Sequence, residues 1–246
     1  MISVIRSGMS AALSDLDVTS NNIANAGTTG YKKREASFVD VYADTVAIGV
    51  GNKVGSGVTT PEMRIMRSQG ELKQTGTVLD LAVEGEGMFT LRNGSNLGDV
   101  LYTRDGSFSI DLNGEIATSE GHKVMSANGM AITVPMRAAG IVTQNGVERL
   151  GSAALTSVNI QSDGTVEATY GGTNIVAVGK IGLATFADAN RLTAVGNNMF
   201  RENARSGPGN LGQAVKDGRG KIHSSALEMS NIVMTGELAK LIRAQQ

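Results

Sequence analysis

The chain has 246 residues, 41% of them hydrophobic and 18% charged, with a formal net charge of −1. That is enough for one large domain or two modest ones with cores of their own, and too neutral for a protein built mainly to bind nucleic acid or an anionic membrane. Cysteine and tryptophan are absent and 4% of residues are aromatic, which excludes a disulfide framework, thiolate metal sites, a cysteine nucleophile and broad aromatic platforms.

The N-terminal stretch Met1 to Leu13 is mildly apolar, but Arg6 interrupts it and Asp15 and Asp17 follow. It does not carry the apolar core or cleavage pattern of a Sec signal, so any export is expected to use another route. No run of about 18 apolar residues predicts a transmembrane helix. Ile2, Ile5, Met9, Ala12, Leu16, Thr19 and Ile23 alternate at spacings of three and four, a heptad seam that predicts a helix. It should stop near Ala26-Gly27, where glycine can turn left-handed, before a Thr28-Thr29-Gly30 turn. Thr45 to Pro61, rich in Gly and Val, reads as a semi-extended connector. From Gly70 to Gly220 the pattern is that of short strands. Leu79, Leu81 and Val83 alternate with Asp80 and Ala82, and the pairs Asp105-Gly106, Asn113-Gly114 and Asp163-Gly164 predict hairpin turns. Ala138 to Gly179, poor in charge, is the place for an insertion or long loop. At the C-terminal end Leu227, Asn231, Met234, Leu238, Leu241 and Gln245 repeat the heptad spacing, with Ser224 or Ser225 as a cap and Glu228 completing a capping box. On spacing alone the two seams suit a coiled coil or ordinary amphipathic helices packed on the central domain. The boundaries that follow are 1–40 for the N-terminal helix and turn, 41–69 for the connector, 70–220 for the β-rich domain with an insertion at 138–179, and 221–246 for the C-terminal helix.

Residues with chemistry are scattered. His122 and His223 stand far apart in sequence without metal-ligand spacing and read as surface or edge residues. Gly49, Gly51, Gly55 and Gly57 are not followed by the Lys-Ser/Thr of a phosphate loop. Asp80, Glu84 and Glu86 read as a solvated face rather than paired catalytic carboxylates, and Lys32-Lys33-Arg34, balanced by Glu35 and Asp40, is too short for nucleic acid. No enzyme, cofactor or metal site is expected. A secreted β-rich binding or adhesin module remains an alternative, but one that leaves the matching terminal seams unexplained.

The motifs resemble those of the bacterial flagellar rod and hook proteins. Ser20-Asn21-Asn22-Ile23-Ala24-Asn25 with Thr29-Gly30-Tyr31-Lys32 is similar to their N-terminal signature. Gln69-Gly70-Glu71-Leu72, Leu79-Asp80-Leu81-Ala82-Val83, Gly85-Glu86-Gly87 and Tyr102-Thr103-Arg104-Asp105-Gly106-Ser107-Phe108 resemble the central one, and Leu227-Glu228-Met229-Ser230-Asn231 with Glu237-Leu238 the C-terminal one. The resemblance implies an α+β chain whose terminal helices pair as a coiled coil in an inner domain, with a central antiparallel β barrel or sandwich-like outer domain. It implies a structural subunit of the flagellar axis that polymerises to transmit torque, a rod subunit on length, with a short hook subunit as the alternative. Its place would be the basal body, or the extracellular hook in that alternative. Its implied partners are copies of itself, other rod and hook subunits and the flagellar type III export apparatus, without nucleic acid or membrane insertion. The implied subunit-assembly residues are Ile5, Met9, Ala12, Leu16, Asn21, Asn22, Ile23, Asn25, Leu227, Asn231, Met234, Leu238 and Leu241. The chain stops at Gln246, sooner than the resemblance implies, so a short C-terminal helix is expected.

Overall fold

The computed structural model describes residues 2–43, 54–59, 63–93, 99–144, 147–172 and 174–244. Two compact units emerge. One comprises Met1–Thr28, Lys32–Ser68 and Ser230–Gln246, the other Thr29–Tyr31 and Gln69–Met229.

In the first unit, helix α1 spans Ile2–Ala24 and helix α2 spans Met234–Ala244. Two antiparallel ribbons accompany them, Arg34–Ala36 with Met63–Ile65 and Val39–Ala43 with Val54–Thr59. The expected connector therefore contains a strand, and its residues 45–53 and 60–61, with Gly49 and Gly51, lie outside the described residues. α1 gives way to a turn in which the Asn25 side-chain amide donates to the Asn21 carbonyl (2.9 Å) and the Thr28 N–H to the Asn25 carbonyl (3.1 Å). The left-handed residue is Gly30 (φ 67°), not Gly27. A Cβ on Gly30 would lie 2.5 Å from the Asp105 nitrogen, so the close approach fixes the glycine here.

The second unit is built from strands, and every described pairing is antiparallel. In its nine-stranded sheet Met88–Arg92 is central. It pairs with Val100–Thr103 on one side and with Lys123–Val124 and Gly182–Thr185 on the other. The path ends at Thr193–Gly196 and at Phe108–Ile110, and no pairing among the described residues joins those ends, so the sheet is a half-barrel rather than a closed one. The strands Arg137–Gln144, Val147–Ile160, Thr165–Tyr170 and Asn174–Lys180 form a four-stranded antiparallel sheet of their own. Its Ile160, Val166, Ala168 and Tyr170 share one core with Leu81, Phe89, Leu91, Ile116 and Leu183. Phe89 and Phe108 meet edge-to-face at 5.1 Å.

The expected hairpins at Asn113-Gly114 and Asp163-Gly164 form. At the second, Asp163 accepts from the N–H (2.9 Å) and hydroxyl (2.8 Å) of Thr165, which hold its carboxyl down to about 2. Asp105-Gly106 makes no hairpin, because Val100–Thr103 and Phe108–Ile110 pair with other strands. Gly106 instead lets two backbones meet: a Cβ there would sit 1.7 Å from the Leu81 oxygen. Leu81, Ala82 and Val83 are all fully buried, so this strand is covered on both faces and the alternation predicted for it is absent.

The α+β expectation with a helical coiled coil is corrected. The described residues hold two α-helices, one at each end of the chain, and otherwise mostly strands. The helices touch, but most of the α1 seam is turned away: Ile2, Ile5, Met9 and Ala12 stay exposed, Leu16 and Ile23 are half-buried, and Thr19 is the one seam residue among the inward side chains Ala11, Val18, Thr19 and Asn22. Nor do Ser224 and Ser225 cap a helix. Lys221–Ser224 and Ala226–Glu228 are strands paired with Leu81–Glu84 and Leu72–Gln74, and α2 starts only at Met234. The physical reason is period two: Ile222, Ala226 and Glu228 are buried at even spacing, a pattern that the four-and-three spacing of Leu227, Asn231 and Met234 obscures.

Candidate functional site

Both terminal helices are inside out. α1 turns its small and polar side toward its own unit, with Ala11, Val18, Thr19 and Asn22 buried and the Ser7 hydroxyl accepting from the Val58 N–H (3.3 Å). Its large aliphatic side faces water, with Ile5 64% and Met9 62% exposed and Ile2, Ala12 and Leu13 exposed beside them. Leu16 and Ile23 are half-buried. α2 buries one side chain, Glu237, while Met234, Leu238 and Ile242 are exposed and Leu241 is half-buried. Ordinary amphipathic helices do the reverse.

The polar members of the expected assembly set hold the unit together. Asn22 is 1% exposed; its amide donates to the Arg34 carbonyl (2.8 Å) and to Glu237 Oε2 (3.1 Å), and its oxygen accepts from the Arg34 N–H (3.0 Å). Asn231 accepts from the Lys33 N–H (2.8 Å) and donates to the Met66 and Ser68 carbonyls (2.8 and 3.1 Å). Asn21 and Asn25 close the end of α1 on each other, Asn25 donating to Asn21 Oδ1 at 3.0 Å. Leu227 is not on a helix. It lies half-buried in the strand Ala226–Glu228, opposite Lys73.

Sequence reasoning missed the charges that fix these elements. Glu237, 2% exposed, meets Lys33 Nζ at 2.8 Å, while Lys33 also reaches Glu35 (3.1 Å) and Lys240 lies 3.9 Å from Glu237. Burial pushes the Glu237 carboxyl up, but hydrogen bonds from Lys33 and Asn22 and the nearby positive charges outweigh it, and its pKa falls below the ordinary value. The hydrogen bond to Glu237 raises Lys33 above its own, against the cost of burial.

In the second unit the quoted motifs converge on Glu228, 1% exposed. Its Oε1 accepts from the Gly70 N–H (2.9 Å) and its Oε2 from Arg104 Nη1 (3.2 Å). Arg104 also donates to the Val83 and Gly85 carbonyls (3.0 and 2.6 Å), Gln69 bridges Val83 and Gly85, and the Gly30 N–H donates to the Glu228 carbonyl (2.8 Å). Burial lowers the Arg104 pKa, and the charges of Glu228 and Glu86 oppose that. This knot explains why those residue types stand at those places: each supplies a backbone or side-chain partner that a buried charge demands.

His223 lies beside Glu84 (2.7 Å), which Lys221 also meets (2.9 Å), and His122 is half-buried with Nε2 3.5 Å from Glu120. Glu84 lies on the solvated face expected of it. Among the described residues no group of three or more His, Asp or Glu is gathered to hold a metal ion, and no helix is long and apolar enough to cross a membrane.

The sequence profile of the flagellar hook protein FlgE/F/G D1 domain matches residues 82–168, and that of the flagella basal body rod protein matches residues 2–32. The flagellar basal-body rod protein FlgG of Bacillus subtilis is 33% identical over 98% of this chain and 88% of its own length. The chain belongs to the flagellar basal-body rod protein family. It is a structural protein of the flagellar basal body, in a family of subunits rather than of enzymes. The expectation drawn from length is a rod subunit of FlgF type, with FlgG or the hook protein FlgE as alternatives, and similarity reaches both rod proteins. In Caulobacter vibrioides, FlgG is 32% identical over 98% of this chain and 88% of its own length, and FlgF 30% identical over 94% and 82%.

Proposed function

We propose that this chain is a rod subunit of FlgG type that polymerises with copies of itself and joins other rod and hook subunits through the outward apolar faces of its terminal helices, without catalytic or cofactor chemistry. The observation that carries this reading is the inversion of both helices, which leaves Ile5, Met9, Met234 and Leu238 in water while Glu237 is buried. Covering one such side chain contributes roughly 1.5–3 kcal/mol, and contiguous exposed aliphatic surface of this kind marks a binding face. Ala12, Leu16, Ile23 and Leu241 border those faces, and Asn21, Asn22, Asn25 and Asn231 shape them from within. Leu227, in its strand, is a weaker member of the set. FlgG relatives spanning 98% of the chain support the FlgG type, and export through the flagellar type III apparatus goes with membership of that family. The test is sedimentation and fibre imaging of the purified chain over rising concentration. Concentration-dependent filaments or tubes are expected; a monomer at every concentration, alone and with other rod subunits, overturns the reading.

A further inference from the structure

The docking site beneath α2 has a choice of two faces. One face of α2 presents Glu237 and Leu241; a neighbouring face presents Met234, Leu238 and Ile242. On hydrophobicity alone the second would be turned inward, because it is the larger aliphatic stripe. The structure has the opposite arrangement: Glu237 is inward at 2% exposure, and Ile242 is outward at 57%. What distinguishes the two is the receiving surface. Lys33 Nζ meets Glu237 Oε1 at 2.8 Å and Asn22 Nδ2 meets its Oε2 at 3.1 Å. Lys33 is itself placed by its backbone N–H on Asn231 (2.8 Å), and Asn22 by both backbone polar groups of Arg34 (2.8 and 3.0 Å). An aliphatic stripe laid on them would take away the charged acceptor that Glu237 gives each of them, leaving Lys33 to Glu35 (3.1 Å) and the Asn22 amide to the Arg34 carbonyl (2.8 Å). Such a cluster is a poor source of net stability but an effective selector, because its energy is large only for the matching face.

We infer that Lys33 and Asn22 are positioning residues which select Glu237 as the inward residue of α2, and so keep Met234, Leu238 and Ile242 on the surface for a second copy of the chain. The inference rests on the assembly reading for its purpose, but not for its geometry. The cluster acts against the monomer covering its own binding face, since a rolled helix would bury the same aliphatic residues internally and leave nothing for a neighbour.

The absence of cysteine allows a single reporter, Ile242→Cys, read on the free chain by its rate of reaction with a thiol reagent. In the otherwise unaltered chain the thiol reacts as an exposed group. Adding Lys33→Met is expected to slow that reaction by about tenfold or more, equivalent to ~1.4 kcal/mol of protection, as Glu237 turns to water and the stripe turns in. The further change Glu237→Leu is expected to restore the fast rate, because an apolar pair again matches the original face. A thiol that stays fast in Lys33→Met overturns the inference, whether α2 holds its orientation or detaches. So does a slow thiol that Glu237→Leu fails to rescue. Polymerisation is scored separately with Ile5→Asp, which lies on α1 away from the cluster. If that variant assembles as the parent does, the assembly reading fails while the thiol result stands.

Discussion

At the scale of single residues, two positions carry more than their sequence context suggests. Gly106 sits where a side chain would collide with the Leu81 backbone oxygen at 1.7 Å, and backbone cannot step aside as a flexible side chain can. Gly106→Ala is expected to destabilise the β unit by roughly 2–4 kcal/mol, read as a lowered melting temperature. Gly76→Ala has open space around its Cβ, although its own φ of 81° makes it a strained control rather than a silent one. Glu228 is the other. Removing its carboxylate leaves Arg104 buried beside the Val83 and Gly85 carbonyls without a counter-charge, and orphans the Gly70 N–H. Glu228→Ala is expected to cost about 3–5 kcal/mol, whereas Glu228→Gln, which keeps the acceptor for Gly70, should cost less; denaturant melts of the two variants make the comparison. The sequence carried both residues inside family-like motifs, but composition and periodicity could not say why. A glycine in Asp-Gly looks the same whether it turns a hairpin or admits a neighbouring strand, and a glutamate flanked by Leu and Met gives no sign of a buried arginine far away in sequence.

At the scale of elements, legibility followed the range of the interactions. Turns set by adjacent residues, as at Asn113-Gly114 and Asp163-Gly164, were readable. So was the existence of α1, whose apolar repeat is long. The start of α2 was not, because Leu227 extends the repeat of Met234 and Leu238 backward into a strand whose pairing with Leu72–Gln74 only the tertiary structure supplies. Nor was the direction in which either helix faces: an apolar stripe is ordinarily the inward one, and here a buried ionic cluster reverses it. That cluster gives α2 a definite response to pH. Glu237 is met by Lys33, Asn22 and Lys240, and Glu35 faces the same two lysines. The folded pKa of Glu237 lies below its ordinary 4.5, so its contribution is fully present above 4.5 and is lost as pH falls through the lower folded value. Lys33 is raised above 10.5, so its contribution is present below 10.5 and is lost as pH rises through the folded value. Amide exchange in α2, corrected for its intrinsic pH dependence, is therefore expected to be flat through neutral pH and to accelerate at both extremes. Lys33→Met should remove the basic limb and weaken the acid one, which Asn22 and Lys240 still support, and a profile with both limbs unchanged in that variant would assign them to other groups.

At the scale of the whole molecule, the described residues fold mostly as β structure between two terminal helices that keep much of their aliphatic surface exposed. The family was legible because its signatures are local strings. The mode of packing was not, because no string records which face of a helix the rest of the chain will accept. This separates folding from assembly at the level of side chains. A residue such as Leu81 or Phe89, fully buried in the β core, serves the fold, whereas Ile5, 64% exposed, contributes little to it. Leu16, half-buried, mixes the two and is the less decisive site for substitution. Ile5→Asp should accordingly leave the melting temperature within the scatter of surface substitutions, about ±0.5 kcal/mol. In a polymer the same change replaces an aliphatic contact worth roughly 1.5–3 kcal/mol with a carboxylate that must be desolvated at every copy. The concentration needed for assembly should then rise by about 100-fold or more, since each 1.4 kcal/mol is tenfold. Ser10→Asp, also exposed on α1 but already polar, supplies the comparison and is expected to assemble at close to the parent concentration. Equal assembly by the parent and Ile5→Asp would mean that this stripe stays in water in the polymer too, and the contact between subunits would have to be sought on the β unit.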